Sequence, residues 1–83
     1  MADYNRQDRN GFRYEIVKPL GVLSERTIQG EPWVLEANLI AWNGRAPKID
    51  IRSWDKRTHS QMTKGITLTN KEAETLAEIV RGL

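Results

Sequence analysis

The stretch from residue 33 to residue 54 constrains the fold more than any other part of the sequence. Residues 33–42 alternate between an apolar set and a mixed set, and residues 48–54 alternate in the same way. Such alternation is typical of strands with one buried face. The dipeptide Asn43-Gly44 lies between the two segments and favours a hairpin turn. The sequence therefore predicts an antiparallel hairpin at this place.

The length of the hairpin loop decides which side chains share a face. A two-residue turn would set the polar residues Glu36 and Asn38 beside Ile49 and Ile51, since a shift of one residue turns a whole strand over. We therefore predict a loop of three or five residues, with Gly44 in a left-handed or bulge conformation. The face expected to form the core then carries Trp33, Leu35, Ala37, Leu39, Ile49 and Ile51. The face away from this core carries Trp42, Lys48, Arg52 and Trp54.

Two further strands are predicted outside the hairpin. Residues 13–23 alternate like a strand, but Pro19 and Gly21 interrupt them, which predicts a strand that is bent, bulged or at a sheet edge. Residues 24–32 contain turn residues without a pattern and are interpreted as a loop. Residues 64–68 form a short fourth strand.

A single helix is predicted at the C-terminal end. Thr69 and Glu72 have the spacing of a capping box, so we expect a helix from about Asn70 to Arg81, with Gly82 at its end. Its apolar stripe contains Ala73, Leu76, Ala77, Val80 and Leu83, with Ile79 at the margin. The predicted fold is therefore α+β, with four antiparallel strands followed by one helix.

The chain is expected to contain one folded domain. Residues 1–12 are polar and lack an apolar period, which indicates a flexible tail without the apolar region of a signal peptide. Residues 13–83 are predicted to form this domain. No stretch is apolar over the length of a membrane span. We therefore expect a soluble cytoplasmic protein.

Size and cysteine content together predict a partner subunit. The chain has 83 residues and no cysteine, so a small core is left without disulfides. Thiolate zinc sites are excluded, and a single histidine, His59, argues against an imidazole metal site. One helix of this length spans only about 18 Å and covers part of a four-stranded sheet. We therefore predict a homodimer that needs no metal and no cofactor.

Positive charge is concentrated in residues 45–64. This segment contains six basic and two acidic residues, whereas the segments on either side are each slightly negative. Local positive charge favours anionic partners, and nucleic acid first among them. The alternative is a solvated basic face that only keeps the protein in solution.

Tryptophans in and beside the basic segment favour the nucleic-acid interpretation. Surfaces that bind single strands combine cations for the phosphates with aromatic rings on which bases stack. The candidate rings are Trp42 and Trp54, and the candidate phosphate contacts are Arg45, Lys48, Arg52 and Lys64, with Lys56 and Arg57 as mobile additions. Each has a structural alternative. The tryptophans are candidates for core packing or a dimer interface, Arg52 for pairing with Glu36, and Lys64 for protecting a strand edge.

An enzyme is not expected. There is no cysteine nucleophile, and the polar context of His59 indicates a solvated loop side chain. Asp50 and Asp55 have cationic neighbours, so ion pairs with Arg52 or Lys48 explain both carboxylates. No glycine-rich phosphate loop is present. We therefore predict no catalytic residues and no small-molecule substrate.

The run IDIR at 49–52 is followed by an aromatic residue, and the run KGITLT at 64–69 precedes a capped helix. Together with residues 21–25 and the hairpin at 42–45, these segments resemble the transcriptional positive cofactor four family, and more narrowly its small bacterial YdbC-like branch. The resemblance covers about residues 14–81. It implies a curved four-stranded antiparallel sheet with a C-terminal helix, in a dimer that binds single-stranded DNA, and often melted duplex or RNA, with little sequence preference. The binding positions that it implies are Trp42, Arg45, Arg52, Trp54 and Lys64.

The chain also departs from that family. The connection between Trp54 and Lys64 is shorter than in the eukaryotic cofactor, and the serine-rich acidic regulatory region is missing. These differences argue against a full coactivator role and leave the binding module. We predict that residues 13–83 are a single-stranded nucleic-acid-binding domain, which binds single-stranded DNA without sequence specificity in transcription regulation or in DNA replication and repair. The expected location is the bacterial cytoplasm, with association with the nucleoid as one option. The alternatives are a protein-interaction module of the transcription machinery and single-stranded RNA binding.

Overall fold

The computed structural model describes residues 5–7 and 13–83, and it places one antiparallel sheet before one helix. The strands are β1 (Asn5–Gln7), β2 (Arg13–Ile28), β3 (Glu31–Trp42), β4 (Lys48–Asp55) and β5 (Ile66–Leu68), and the helix is α1 (Asn70–Arg81). The strands lie side by side in chain order, and each neighbouring pair is antiparallel. The predicted α+β fold is confirmed, with β2 to β5 as its four strands.

The β3–β4 hairpin confirms the predicted loop. Glu36 pairs with Arg52, and residues 43–47 form a five-residue loop between the strands. Gly44 has φ +76° and Asn43 has φ 51°, a left-handed conformation that glycine adopts freely and asparagine tolerates better than most residues. The four residues predicted to share a face do so: Trp42, Lys48, Arg52 and Trp54.

β2 is longer than the sequence predicted. The loop expected at residues 24–32 is wrong, because β2 continues to Ile28 and a turn at Gln29-Gly30 leads directly into β3. Gln29 has φ 51° and Gly30 has φ +80°, and positive φ at both central residues is typical of a two-residue hairpin turn. The extension is not visible as alternation because residues 24–27 are all exposed.

Bulges interrupt the pairing of β2 with β3. The register shifts at three places, one of them between Pro19 and Gly21. The other two lie between Ile16 and Lys18 and between Val22 and Ser24. An extra residue on one strand bends that strand and increases its twist. The bulged strand predicted from the proline and the glycine is confirmed.

The sheet curls around the face that carries the tryptophans. Tyr14 pairs with Trp42, and Val34 pairs with Trp54. Trp42 and Val34 are eight residues apart along β3, or about 26 Å in a flat strand that rises about 3.3 Å per residue. The Tyr14 and Trp54 rings nevertheless have centroids only 5.6 Å apart. The face that holds Tyr14, Val34, Ile40, Trp42 and Trp54 is therefore concave, and it is called the concave face below.

The core lies on the concave face, so the core expected from the hairpin alternation is wrong. The buried apolar residues are Tyr14, Val34, Ile40 and Trp54, against which Ile16, Trp42 and Met62 are partly buried. The aliphatic residues predicted to be buried are only half-buried on the opposite, convex face: Leu35, Ala37, Leu39, Ile49 and Ile51. Trp33, on the same face, is half-buried as well. Curling encloses the concave face, whereas the aliphatic side chains of the convex face keep part of their surface exposed among the described residues.

The helix α1 begins at the predicted capping box. The Glu72 N–H donates to Thr69 Oγ1 at 3.1 Å, and the Thr69 N–H donates to Glu72 Oε1 at 2.8 Å. Gly82 is its C-cap, as predicted. No residue of α1 is buried, and its exposed large apolar residues are Leu76, Ile79 and Val80, followed by Leu83. Within the described part of the chain, no helix has the length and apolarity needed to cross a membrane.

Part of the predicted N-terminal tail belongs to the sheet. Asn5–Gln7 form β1, which pairs with residues 13–15 at the start of β2. The sequence did not predict this strand, because three polar residues carry no alternation of apolar side chains. The rest of the predicted flexible tail lies outside the described residues, and the domain boundary at residue 13 stays a prediction.

β5 begins two residues later than predicted, at Ile66, and the residue before it packs closely on β4. A side-chain carbon at Gly65 would collide with Arg52 Cβ and with the Ile51 carbonyl oxygen, whereas one at Gly21 would meet nothing within 4 Å. Only a glycine therefore allows the chain to approach β4 at residue 65.

We expect Gly65→Ala to destabilise the protein by about 1–3 kcal/mol, the usual cost of overpacking, because β5 must move away from β4. Gly21→Ala is the matched control and should stay within about 0.5 kcal/mol of the wild type. Urea unfolding of both variants at neutral pH measures the difference. Equal loss of stability in both would contradict the close packing at Gly65.

Candidate nucleic-acid interface

Trp54 lies in the core and not on an exposed surface. Its exposed fraction is 0%, so the expectation that it is displayed for base stacking is wrong for this protomer. Its ring stacks on the imidazole of His59, with centroids 4.3 Å apart and planes 8° apart. The chain after β4 turns back beside it, with a β-bridge from Trp54 to Met62. This returning segment covers a part of the concave face that we expected from the sequence to be exposed.

Arg52 is held by a buried acidic partner. Asp50 is 0% exposed, and its two carboxylate oxygens accept from Arg52 Nε at 2.7 Å and from Nη2 at 2.6 Å. The Thr67 hydroxyl donates to the same carboxylate at 3.1 Å. Arg52 Nη1 donates to the Thr63 carbonyl oxygen at 3.4 Å. The predicted ion pair of Arg52 with Asp50 is confirmed. These hydrogen bonds give Arg52 a structural role within the protomer.

Trp42 keeps part of its surface exposed at the end of β3. Its ring lies 5.8 Å from that of Tyr14, between centroids, and the Arg52 guanidinium carbon lies 4.7 Å from its ring centroid. A cation over an aromatic face is attracted to the ring. Trp42 is therefore a half-buried ring at the border of the core, and it is the more accessible of the two predicted stacking residues.

The remaining candidate cations are all exposed, but they differ in their ion pairs. Lys56 Nζ lies 3.0 Å from Glu25 Oε1, and Arg57 Nη1 lies 2.6 Å from Glu31 Oε1. Exposed pairs of this kind contribute less than about 1 kcal/mol each, so they neutralise charge without fixing the side chains. Among the described residues, no acidic side chain pairs with the other three cations, Arg45, Lys48 and Lys64.

The structure brings some of the predicted residues together and separates others. Trp42, Arg45 and Lys48 lie in or beside the β3–β4 loop, and Lys48 belongs to the concave face through its pairing with Ile40. Lys64 lies just before β5, at the edge of the sheet. The cations available to an anionic ligand are therefore spread along one end and one edge of the sheet.

Asp55 organises the connection between β4 and β5. Its carboxylate accepts backbone N–H bonds from Thr58, His59, Ser60 and Gln61 at distances between 2.7 and 3.2 Å. These bonds, with those from Thr58 and Gln61 foremost, hold the pKa of Asp55 well below its ordinary value, because they favour the charged carboxylate. The predicted ion pair of Asp55 with a neighbouring cation is wrong, since the backbone of the loop satisfies the carboxylate instead.

Asp55→Asn is expected to destabilise the protein at neutral pH, because an amide replaces one of the two acceptor oxygens with a donor. The folded state lowers the pKa of Asp55, so the stabilisation is present above the unfolded-state pKa of about 3.9 and is lost as the pH falls further. Thermal unfolding of wild type and variant should therefore differ fully at pH 7, and the difference should shrink progressively as the pH falls below about 4. Glu74→Gln, exposed on α1, is the control. A difference that stayed constant with pH would refute this role.

His59, Glu36 and Asn38 form a polar cluster that the sequence analysis missed. His59 is not the solvated side chain that we expected, since its Nε2 lies 2.8 Å from Glu36 Oε1 while its ring stacks on Trp54. Asn38 Nδ2 donates to the same Glu36 oxygen at 3.0 Å. A signal for this cluster was present in the sequence. Glu36 and Asn38 occupy alternate positions of β3, between two apolar residues that are buried on the same face.

The two aspartates of β4 both form hydrogen bonds with other groups of the protein. Asp50 is committed to Arg52 and Asp55 to the loop backbone. Within residues 5–7 and 13–83, no group of three histidine, aspartate or glutamate side chains is placed to hold a metal ion.

Comparisons with known proteins match most of this region. The model of the family described as transcriptional coactivator p15 (PC4) matches residues 30–79. An uncharacterized protein of Treponema pallidum (strain Nichols) is 40% identical over 72 residues, which cover 87% of this chain and 80% of that protein. The segment matched by the family model contains β3, β4, β5 and most of α1. All eight residues predicted to contact nucleic acid lie within it.

Proposed function

Because the chain belongs to the transcriptional coactivator p15 (PC4) family, we propose that it is a non-enzymatic homodimer that binds single-stranded DNA with little sequence preference. The resemblance inferred from the sequence is thereby confirmed at the level of the family, and the bacterial relative agrees with a bacterial branch. Membership suggests nucleic-acid binding or a transcription-related role. The preference for single strands, the dimer and a cytoplasmic location are our proposals.

The observation that carries the proposal is the set of exposed cations without acidic partners. Arg45, Lys48 and Lys64 are exposed, and no described acidic side chain forms an ion pair with them. Lysine and arginine that face solvent without a partner are available to phosphates, and phosphate contacts supply most of the affinity of sequence-tolerant binding. Arg45 lies in the hairpin loop that follows Trp42, and Lys48 comes directly after that loop.

Base stacking is assigned to Trp42 in this proposal. Stacking of a base on an aromatic side chain contributes about 1–3 kcal/mol and tolerates any sequence. Trp42 is half-buried at the end of β3, whereas Trp54 is fully buried. We therefore replace the predicted pair of stacking tryptophans by one, and we assign Trp54 and Arg52 to the framework that positions it.

The proposed homodimer rests on apolar surface that the protomer leaves uncovered. Leu76, Ile79 and Val80 of α1 are 43%, 62% and 53% exposed, and the aliphatic residues of the convex face are only half-buried. Exposed apolar surface beyond scattered single residues marks a protein interface, and a chain of this size gains stability from burying it. A second copy of the chain would cover both surfaces.

Fluorescence anisotropy with a short dT oligomer, the matched duplex and the matched RNA tests the proposal, together with the mass in solution from light scattering. We expect the dT oligomer to bind more tightly than the duplex, with affinity falling as salt rises, and a mass of two chains. Equal affinity for single strand and duplex, or affinity independent of salt, would contradict the proposed binding. Tighter binding of RNA would transfer the function to that polymer.

A further inference from the structure

A cavity on the concave face is large enough for part of a nucleotide. Its volume is about 280 Å³, close to the lower end of the range for small-ligand pockets, about 300–1,000 Å³. Ile16, Pro19 and Val22 line one side of it. The polar cluster of the concave face lines the other side, with Glu36, Asn38 and His59. An apolar wall opposite a few converging polar groups is the usual composition of a binding pocket.

The bulges of β2 explain why the cavity is open. Pro19 and Val22, which line it, both lie beside register shifts of β2 against β3, where the strand bends away from regular pairing. Tyr14 and Trp54, which pair with opposite ends of β3, meet across the curve of the sheet. The cavity is therefore the part of the concave face that the core side chains leave unfilled.

Two acceptor atoms in the cavity wall are unused. Glu36 Oε1 accepts from Asn38 Nδ2 at 3.0 Å and lies 2.8 Å from His59 Nε2. Among the described residues, nothing donates to Glu36 Oε2 or to Asn38 Oδ1. Asn38 is only 2% exposed, so its amide is a built part of the wall and not a surface side chain. A ligand that suits this wall must present hydrogen-bond donors.

From this geometry we propose that the cavity binds one unstacked base of the DNA strand and prefers guanine. Guanine presents two adjacent donors, N1–H and the N2 amino group, to a wall that offers two acceptors. Adenine and cytosine present one amino group beside an acceptor nitrogen. Thymine presents one N–H between two carbonyl oxygens, which a carboxylate repels. Proteins commonly read single-stranded bases by such hydrogen bonds combined with apolar contact.

This inference rests on the proposed function and refines it. The phosphate contacts and Trp42 would hold any strand, while the cavity would add a preference at one position. The proposed ligand is a guanine base within a DNA strand. A free guanine nucleotide carries the same two hydrogen-bond donors. A test therefore has to compare the two sources.

The test measures the affinity of the wild-type protein for a dT oligomer and for the same oligomer with one central dG, by fluorescence anisotropy at constant salt. We expect the dG oligomer to bind roughly tenfold more tightly, as a good pair of base contacts discriminates by this order. Guanosine monophosphate is titrated separately as the free ligand. Binding of the free nucleotide without any preference between the oligomers would overturn the assignment to a strand-borne base.

Two charge-matched variants locate the effect. Glu36→Gln should reduce the preference for dG to less than about twofold, because an amide loses one acceptor. Glu15→Gln removes the same charge from an exposed residue of β2 that pairs with Ala41, on the convex face, and should keep the preference. Salt-dependent binding of both oligomers with equal affinity would overturn the cavity proposal alone. Failure of both oligomers to bind would overturn the proposed function and this inference together.

Discussion

Replacing Arg52 with alanine is expected to destabilise the protein by about 3–5 kcal/mol, the usual cost of leaving one partner of a buried ion pair uncompensated. Asp50 is 0% exposed and takes two charged hydrogen bonds from Arg52. Without them, Asp50 keeps only the Thr67 hydroxyl as a described side-chain donor. A loss of this size is a large part of the stability of a small domain, about 5–15 kcal/mol, so the variant should be partly unfolded at physiological temperature.

The double variant Asp50→Leu, Arg52→Met separates this explanation from a role in binding phosphate. Replacing a buried ion pair by apolar residues of similar volume is often neutral or stabilising, so the double variant should recover most of the stability lost in Arg52→Ala. Chemical unfolding measures the stability, and binding of a dT oligomer is measured in parallel. If Arg52 is structural, the double variant should bind almost like the wild type. A folded double variant without affinity for DNA would restore Arg52 to the binding surface.

The hairpin alternation predicted which faces of β3 and β4 coincide, because this depends only on whether the loop between them has an odd or an even number of residues. Any even loop would have set polar residues of β3 beside Ile49 and Ile51, and the observed five-residue loop avoids that conflict. The helix was predictable for a similar reason, since Thr69 and Glu72 act locally. Both predictions use interactions between residues that are near in sequence or held in register by one turn.

Which face is buried could not be predicted in the same way. Alternation separates two sets of side chains without stating which set the rest of the chain will cover. Here the curl of the sheet and the returning segment with His59 and Met62 enclose the concave face. That segment has no apolar period, and backbone hydrogen bonds to Asp55 hold it in place instead. The burial of Trp54 follows from these long-range contacts, and no local pattern reports them.

The sequence identified the candidate binding residues by their type and charge, but it did not show which of them form ion pairs. Counting cations in residues 45–64 treats Arg52, Lys56 and Arg45 alike, although the structure pairs the first with Asp50 and the second with Glu25. Glu25 lies about thirty positions away in sequence, so this neutralisation is invisible before the strands are paired. One ion pair within β4 and others between segments distant in sequence thus reduce the predicted binding surface to fewer residues.

Removing the three unpaired cations together should weaken DNA binding more than any other exposed change. We expect the triple variant Arg45→Ala, Lys48→Ala, Lys64→Ala to bind a dT oligomer about 10–100-fold more weakly at moderate salt. Each lost phosphate contact lowers the slope of log affinity against log salt by about 0.7 for single strands, so the slope should fall by about two per protomer. Stability should change little, because all three side chains are exposed.

The matched control removes the same charge from cations outside this set. Lys56→Ala, Arg57→Ala, Arg81→Ala also lowers the net charge by three, but Lys56 and Arg57 already face Glu25 and Glu31. If binding depended only on net charge, the two triple variants would lose equal affinity. If specific phosphate contacts carry the binding, the control should lose less than about threefold and keep most of the salt slope. Equal losses would leave the surface of Arg45, Lys48 and Lys64 without a special role, because only the overall field of the protein would then attract DNA.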